Sequence, residues 1–283
     1  MIESFLAPFE FAFFRNGLIV ATLAGDLCGL VGTYVVLKGM SYIGHGLSHA
    51  IFGGFAASAL LGVNLFLGAG VWGFASALMI GGVTRRRAIG SDAAIGVITT
   101  ASFAMGLALI KVFGTAGKNA DSYLYGNVLG VDTTQVLLVI AVTVLAALVV
   151  FFAYRPLLFS TFDPEVADVS GVRTARIDAL LMLVLAATIL ATMNVLGVTL
   201  VAATLVIPPV VARMLTNSFS RMLVLSTAIG TFSGFTGMIA SYHLDVAPGP
   251  TIVLTGSALF ALVFLATGVQ GLRRAGGLQA DLA

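Results

Sequence analysis

Apolar residues run through this chain in long blocks, each closed by a charge or a turn residue, at roughly 17–37, 46–63, 66–84, 93–113, 133–154, 178–193, 196–212, 222–241 and 251–270. About 20 apolar residues in a helix cross the roughly 30 Å hydrocarbon layer of a bilayer. The pattern therefore predicts an all-α integral membrane protein, a polytopic bundle of about eight or nine transmembrane helices. The count turns on one place. From Ile177 to Ala212 the apolar run is interrupted only by Met193-Asn194 and Gly197, which fits either a tight hairpin between two short spans or one broken helix.

Composition agrees with that reading. Hydrophobic residues make up 59% of 283 positions, charged residues 9%, and the mean hydropathy is +1.08, where a soluble domain carries about a quarter charged residues. Little chain is left for a soluble domain, so residues 1–283 read as one transmembrane domain. The N-terminal MIESFLAPFEFAFFRNG has Glu3 and Glu10 before Arg15; it lacks the basic start and small-residue cleavage site of a signal peptide, so the first span is expected to be retained. The single cysteine, Cys28, excludes an intrachain disulfide and a thiolate cluster.

The net charge is +2 and the basic residues stand at segment ends instead of forming a patch, which excludes nucleic acid as a partner. They read as topology signals. Lysine and arginine favour cytoplasmic loops, and with nine spans Lys38, Arg85 to Arg87, Arg155, Arg173, Arg176, Arg213, Arg221, Arg273 and Arg274 share that side. Lys111, Lys118 and the segment DSYLYGNVLGVD then fall outside. Small-residue pairs four apart, such as Gly25 with Gly29, Gly126 with Gly130 and Gly230 with Gly234, predict close approach of helix backbones.

One predicted cytoplasmic connection, residues 155–177, is long and mixed in charge. Within it Asp163 precedes Pro164, a helix start in which the carboxylate caps free amides and proline takes the first helical position; Gly171 fits the stop. A short surface helix of about Pro164 to Ser170 follows, either a docking element or a plain amphipathic connector.

Ionisable groups at membrane depth are costly and mark ion, proton or substrate paths. His45 and His49, in GMSYIGHGLSHAIFGG, lie one turn apart on one helix face, and neutral imidazole is a ligand for divalent transition metals. A neighbouring carbonyl or hydroxyl could satisfy them instead, with Ser41 and Ser48 close by. Asp26 falls near the middle of the first span and needs a partner or a proton; the two histidines are the expected partners. His243 and Asp245, in SYHLDVAPGP, could line an external entrance or sit in an ordinary loop. No catalytic constellation is present: GTAGKN around Lys118 lacks the spacing and the Ser or Thr of a P-loop, and there is no nucleophile elbow and no HExxH. The chain is not expected to be an enzyme or to hydrolyse ATP.

With these residues in view, the chain resembles the membrane subunits of ABC importers for zinc, manganese and iron(II). The segments that carry the likeness are GLVGTYVVLKGMSYIGHGLSHAIFGG, SDAAIGVITT, SYLYGNVLGV, FDPEVADVSGV, NVLGVTLVAATLVIPPVVARML and SYHLDVAPGPTIVL, in that order. The resemblance implies a multi-pass permease in the inner (cell) membrane of a prokaryote, paired with a second copy of itself. It also implies a cytoplasmic ABC ATPase dimer, which binds the ATP, and an extracellular or periplasmic metal-binding protein. No cofactor is held permanently; the divalent metal is the substrate. FDPEVADVSG, with Asp163, Pro164, Glu165, Ala167 and Gly171, then looks like the coupling helix for the ATPase. His49 matches the histidine of the family's SHA segment, a contact for the translocated ion, and Asp245, Pro248 and Gly249 match the last motif, as gate structure.

The chain departs from the family at His45, where many relatives carry an acid, and at Asp26, where an uncharged residue is usual. The two departures could compensate by exchanging acid and imidazole between neighbouring helices. Two other readings stay open: a secondary metal transporter driven by an ion or proton gradient, for which Asp26 and the histidines would be a relay, and a permease for a metal chelate.

Overall fold

A backbone that crosses hydrocarbon has no water to bond to, so its N–H and C=O groups must be satisfied within each segment. In a computed structural model, which describes residues 7–85, 91–113 and 131–280, the chain meets that demand with helices alone. After a 3-10 turn at Ala7–Glu10 come α1 (Ala12–Leu37), α2 (Ile43–Leu61), α3 (Leu65–Arg85), α4 (Ser91–Phe113), α5 (Thr133–Phe152), α6 (Tyr154–Phe162), α7 (Pro164–Val169), α8 (Thr174–Leu196), α9 (Val201–Leu215), α10 (Phe219–Leu244) and α11 (Pro248–Ala280).

Every one of the nine apolar runs corresponds to one of these helices. Seven of them, α1, α3, α4, α5, α8, α10 and α11, are long and apolar enough to cross a membrane; the other two are the histidine helix α2 and α9. The interruption after Met193 proves to be a break, with Gly197 in the left-handed region at φ +82° and a turn before α9 begins. With 15 residues, α9 is about 22 Å long, too short to cross alone. The connection at 155–177 is not a loop: it folds into α6 and α7 before α8 starts. The segment DSYLYGNVLGVD up to Gly130, most of the basic run Arg85 to Arg87, and Lys118 lie outside the described residues.

The helices are ordered around α1. Two-thirds of its apolar window is buried, against 22% for α5 and 17% for α11; the outer helices turn Phe151, Phe152 and Leu262 outward, as lipid-facing helices do. Against α10, α1 runs antiparallel in direct backbone contact. A Cβ on Gly25 would overlap the Gly230 carbonyl, one on Gly29 the Ser226 carbonyl, and one on Gly234 the Ala21 carbonyl. Ser226 Oγ adds a hydrogen bond to the Gly29 carbonyl at 2.6 Å. Further along α1, Gly32 meets the Leu205 carbonyl of α9 in the same way.

Interdigitated rings and polar groups close the two ends. At one end Phe219 of α10 packs on Tyr34 of α1 and on Tyr154 and Phe162 of α6, with centroids 5.5 to 5.8 Å apart. Tyr154 and Ser220 share a hydrogen bond, and Lys38 reaches Ser160 and Asp178. Lys38, Arg155, Arg173, Arg176 and Arg221 stand in the segments that meet here, and Arg213 lies just before the short link from α9 to α10. At the other end Phe14 packs on Phe9 and Tyr242, and Asn16 donates to the Val131 carbonyl at 3.5 Å.

The α1–α10 contact yields a stability prediction with a built-in control. Gly25→Ala or Gly230→Ala forces the backbones apart and is expected to cost about 1–3 kcal/mol, seen as a lower thermal unfolding midpoint in detergent. Gly82→Ala, in open space on α3, is expected to leave the midpoint unchanged or to raise it by the equivalent of about 0.5–1 kcal/mol.

Candidate functional site

The histidine helix is positioned by the turn before it. Lys38 closes α1 and Gly39 takes φ +69°, a conformation open to glycine at little cost. Met40 N–H donates to the Val35 carbonyl at 3.0 Å and Gly39 N–H to that of Val36 at 3.1 Å, a Schellman ending. Ile43 N–H donates to the Met40 carbonyl at 2.9 Å, and α2 starts there.

His45 and His49 project from one face of α2, both half-buried. Their Nε2 atoms are 3.2 Å apart and their rings cross at 80° with centroids 4.4 Å apart. At that distance one imidazole can donate to the other, or both lone pairs can meet one cation. Metal–nitrogen bonds of about 2.0–2.1 Å to both atoms would subtend an angle of about 100°, near tetrahedral. His49 Nδ1 is also buried and has no hydrogen-bond partner among the described residues, so this ring keeps an unspent nitrogen.

The surroundings are aromatic. Phe103 of α4 stands edge-on to His49 at 4.6 Å, with Phe52 behind it at 5.5 Å, and Tyr42 lies 5.5 Å from His45. Ser48 does not reach an imidazole: its Oγ lies 2.8 Å from the His45 carbonyl and 2.8 Å from the Val198 carbonyl, fastening α2 to the turn that precedes α9. Gly44 and Gly46 admit α9 and α4 respectively at van der Waals range or closer. Among the described residues no group of three or more His, Cys, Asp or Glu side chains could hold a metal. Among the described residues, this face of α2 brings two imidazole nitrogens together and no third His, Cys, Asp or Glu side chain.

Asp26 is placed elsewhere. The expected pairing with the histidines does not form; its Oδ1 accepts from Thr231 of α10 at 3.3 Å. The reason lies in helix order. α1 packs against α10, α9, α5 and α8, whereas α2 packs chiefly against α3 and α4, so α1 and α2, though successive in sequence, are not close neighbours in space. The proposed exchange of acid and imidazole between them has no geometric basis within one chain.

His243 and Asp245 sit at the end of α10, both exposed. Asp245 takes the left-handed conformation at φ 53°, its N–H bonded to the Ser241 carbonyl; Ser241 Oγ donates to the Val246 carbonyl at 2.6 Å. Gly249 follows at the start of α11, where a Cβ would overlap the Leu196 carbonyl. The motif therefore turns the chain and seats α11 on the end of α8.

The surface helix is α7, Pro164–Val169, one residue shorter than the pattern predicts. Asp163 caps it, accepting from Val166 N–H at 2.9 Å, and Pro164 opens it. Gly171 at φ +84° ends it in a second Schellman turn, with Val172 N–H donating to the Ala167 carbonyl at 2.9 Å and Gly171 N–H to that of Asp168 at 3.1 Å. Glu165 is exposed and Ala167 is fully buried. The sequence pattern did not mark Phe103, an apolar residue in an apolar span, nor the contact of Lys38 with Ser160 and Asp178, residues more than 120 positions away.

Comparison with known proteins gives the same architecture. The chain is 37% identical over 262 residues to the manganese transport system membrane protein MntC of Halalkalibacterium halodurans, covering 93% of this chain and 90% of that one. It is 36% identical over 267 residues to the manganese import system permease protein ScaB of Streptococcus parasanguinis, covering 93% and 94%. Among solved structures it superposes on a chain of PsaBC from Streptococcus pneumoniae, in complex with Fab, with TM-score 0.82 and 33% identity over 93% of this chain and 95% of that one. The model of the ABC 3 transport family matches residues 10–267, nearly the whole helical bundle described above, and the chain belongs to that family.

Proposed function

We propose that this chain is the permease subunit of an ATP-driven importer that carries a divalent transition metal, manganese first among those to test, into a prokaryotic cell. The observation that carries the reading is the pair of imidazole nitrogens 3.2 Å apart on α2, inside a chain that is a family permease. Manganese is named for the relatives MntC and ScaB, and imidazole also suits zinc and iron.

In this reading two copies pair and alternate between outward and inward openings, an ATPase dimer hydrolyses ATP, and an external binding protein delivers the ion. His49 and His45 contact the ion in passage. A path needs weak, partial coordination so that the ion can leave, and two donors per chain meet that need. Asp163, Pro164, Glu165, Ala167 and Gly171 build the helix that docks on the ATPase. Asp245, with the His243 segment, shapes the external entrance. Asp26 acts apart from the histidines, through Thr231. A gradient-driven carrier would have no use for a capped surface helix at the basic end of the bundle.

The test is ATP-dependent manganese and zinc uptake into vesicles holding the permease, its ATPase and its binding protein. His49→Ala is expected to lower uptake by at least about tenfold, the scale of losing part of a metal's coordination, with the complex still assembled. Asp26→Asn, which keeps an acceptor for Thr231, is expected to leave uptake within about twofold, well under the effect of a lost ligand. Parent-level uptake in His49→Ala would sink the ion-path assignment, and uptake without ATP would sink the mechanism.

A docking variant separates the two roles. Asp163→Ala removes the α7 cap and is expected to destabilise the isolated permease by no more than about 1 kcal/mol while weakening retention of the ATPase in pull-down.

A further inference from the structure

At the basic end of the bundle, three elements meet on one part-buried ammonium group. Lys38 Nζ donates to Asp178 Oδ1 at 2.8 Å, to the Ser160 carbonyl at 2.9 Å and to Ser160 Oγ at 3.0 Å. Ser160 Oγ donates in turn to the same Asp178 oxygen at 2.7 Å. The side chains of Lys38 and Asp178 are only 12% and 23% exposed, and Ser160 is 2% exposed. All three donor directions of the ammonium are spent on two helices other than its own, α6 and α8.

Position makes this junction more than a staple. On one side, Asp178 lies one turn beyond Thr174, the first residue of α8. Thr174 holds α7 to α8: its Oγ1 donates to Asp168 Oδ1 at 2.6 Å, and Asp168 belongs to α7. Ser160 stands on α6, which leads into α7 through Asp163. Both flanks of the surface helix thus converge on Lys38. On the other side, Lys38 opens the Schellman turn of Gly39 and Met40, from which α2 starts at Ile43 with His45 and His49 within its first two turns.

An ion pair sheltered this way contributes little net stability over apolar packing of the same volume, but it fixes which groups may meet. Three directed bonds also resist sliding in a way that methyl groups do not. A displacement of α7 is therefore passed to the α1–α2 turn through polar bonds of fixed length. Physical coupling between distant sites needs such an element, one that both sites bias.

We propose that the Lys38–Asp178–Ser160 junction is the positioning element that couples movement of the α7 docking helix to the histidine helix α2. This rests on the import reading above. It assigns to Lys38 a role in transport without contact to the ion or the ATPase.

The experiment compares the parent, Lys38→Met, Ser160→Ala and the exchanged pair Lys38→Asp with Asp178→Lys, each as the full complex of permease, ATPase and binding protein. Assembly, ATP hydrolysis and manganese uptake are measured on the same vesicles. Lys38→Met is expected to assemble and hydrolyse ATP while manganese moved per ATP falls by at least about tenfold, within the usual range of coupling between sites. The exchanged pair is expected to recover to within about threefold of the parent, and Ser160→Ala, which keeps both charges, to lose about threefold.

Unchanged uptake per ATP in Lys38→Met overturns the proposal, as does an exchanged pair no better than Lys38→Met alone. If Lys38→Met does not assemble, Ser160→Ala decides, and parent-level uptake per ATP there overturns it. Losses that only track the amount of assembled complex mark a structural role and overturn it too. A parent complex that takes up no manganese or zinc with ATP would take down the import reading itself, a result distinct from all of these.

Discussion

The backbone contact between α1 and α10 is the constraint on which the rest of the bundle depends. Lipid tails are as apolar as leucine side chains, so burying hydrophobic surface gives helices in a bilayer little reason to associate; close packing and hydrogen bonds must do it. Gly25, Gly29, Gly230 and Gly234 bring two carbonyl-lined backbones together with no side chain between them. Ser226 ties the contact with a bond to the Gly29 carbonyl. Because α1 is also the helix that α5, α8 and α9 pack on, its register against α10 sets the position of everything around it, down to Lys38 at its end.

From that register the two proposed functional regions follow. The end of α1 carries both the ammonium that binds α6 and α8 and the turn that launches α2. The histidines are held at a fixed distance from the basic end, and their surroundings come from α4 through Phe103 and from the α8–α9 break through Val198. The site is thus assembled where a broken helix meets a helix start. Irregular backbone at membrane depth is tolerated only when buried in protein or facing a water-filled path, and here the Val198 carbonyl is satisfied by Ser48.

The chain's family and helical class are legible in the sequence, because both are written in local features. Nine apolar blocks became nine helices, and Asp163, Pro164 and Gly171 became the cap, first residue and stop of α7, since capping depends on residues within four positions. The pairing of His45 with His49 was legible for the same reason: a spacing of four fixes a shared face. What failed was the partner assigned to Asp26. That assignment took helices adjacent in sequence as adjacent in space, and nothing in the residues of α1 or α2 could show that Thr231, 205 positions on, would face the carboxylate instead.

The sequence by itself thus determined a polytopic helical membrane protein, the approximate extents of its nine apolar helices, the cap and stop of the surface helix, and the shared face of the imidazole pair. Period, length and capping act over one or two turns and need no knowledge of the fold. The tertiary structure alone decided that α1 stands at the centre, that Asp26 turns to α10, that Phe103 walls the histidines, and that Lys38 joins Ser160 and Asp178. Those are contacts between segments tens to hundreds of residues apart, selected by which helix faces can approach closely, and no local pattern encodes that choice.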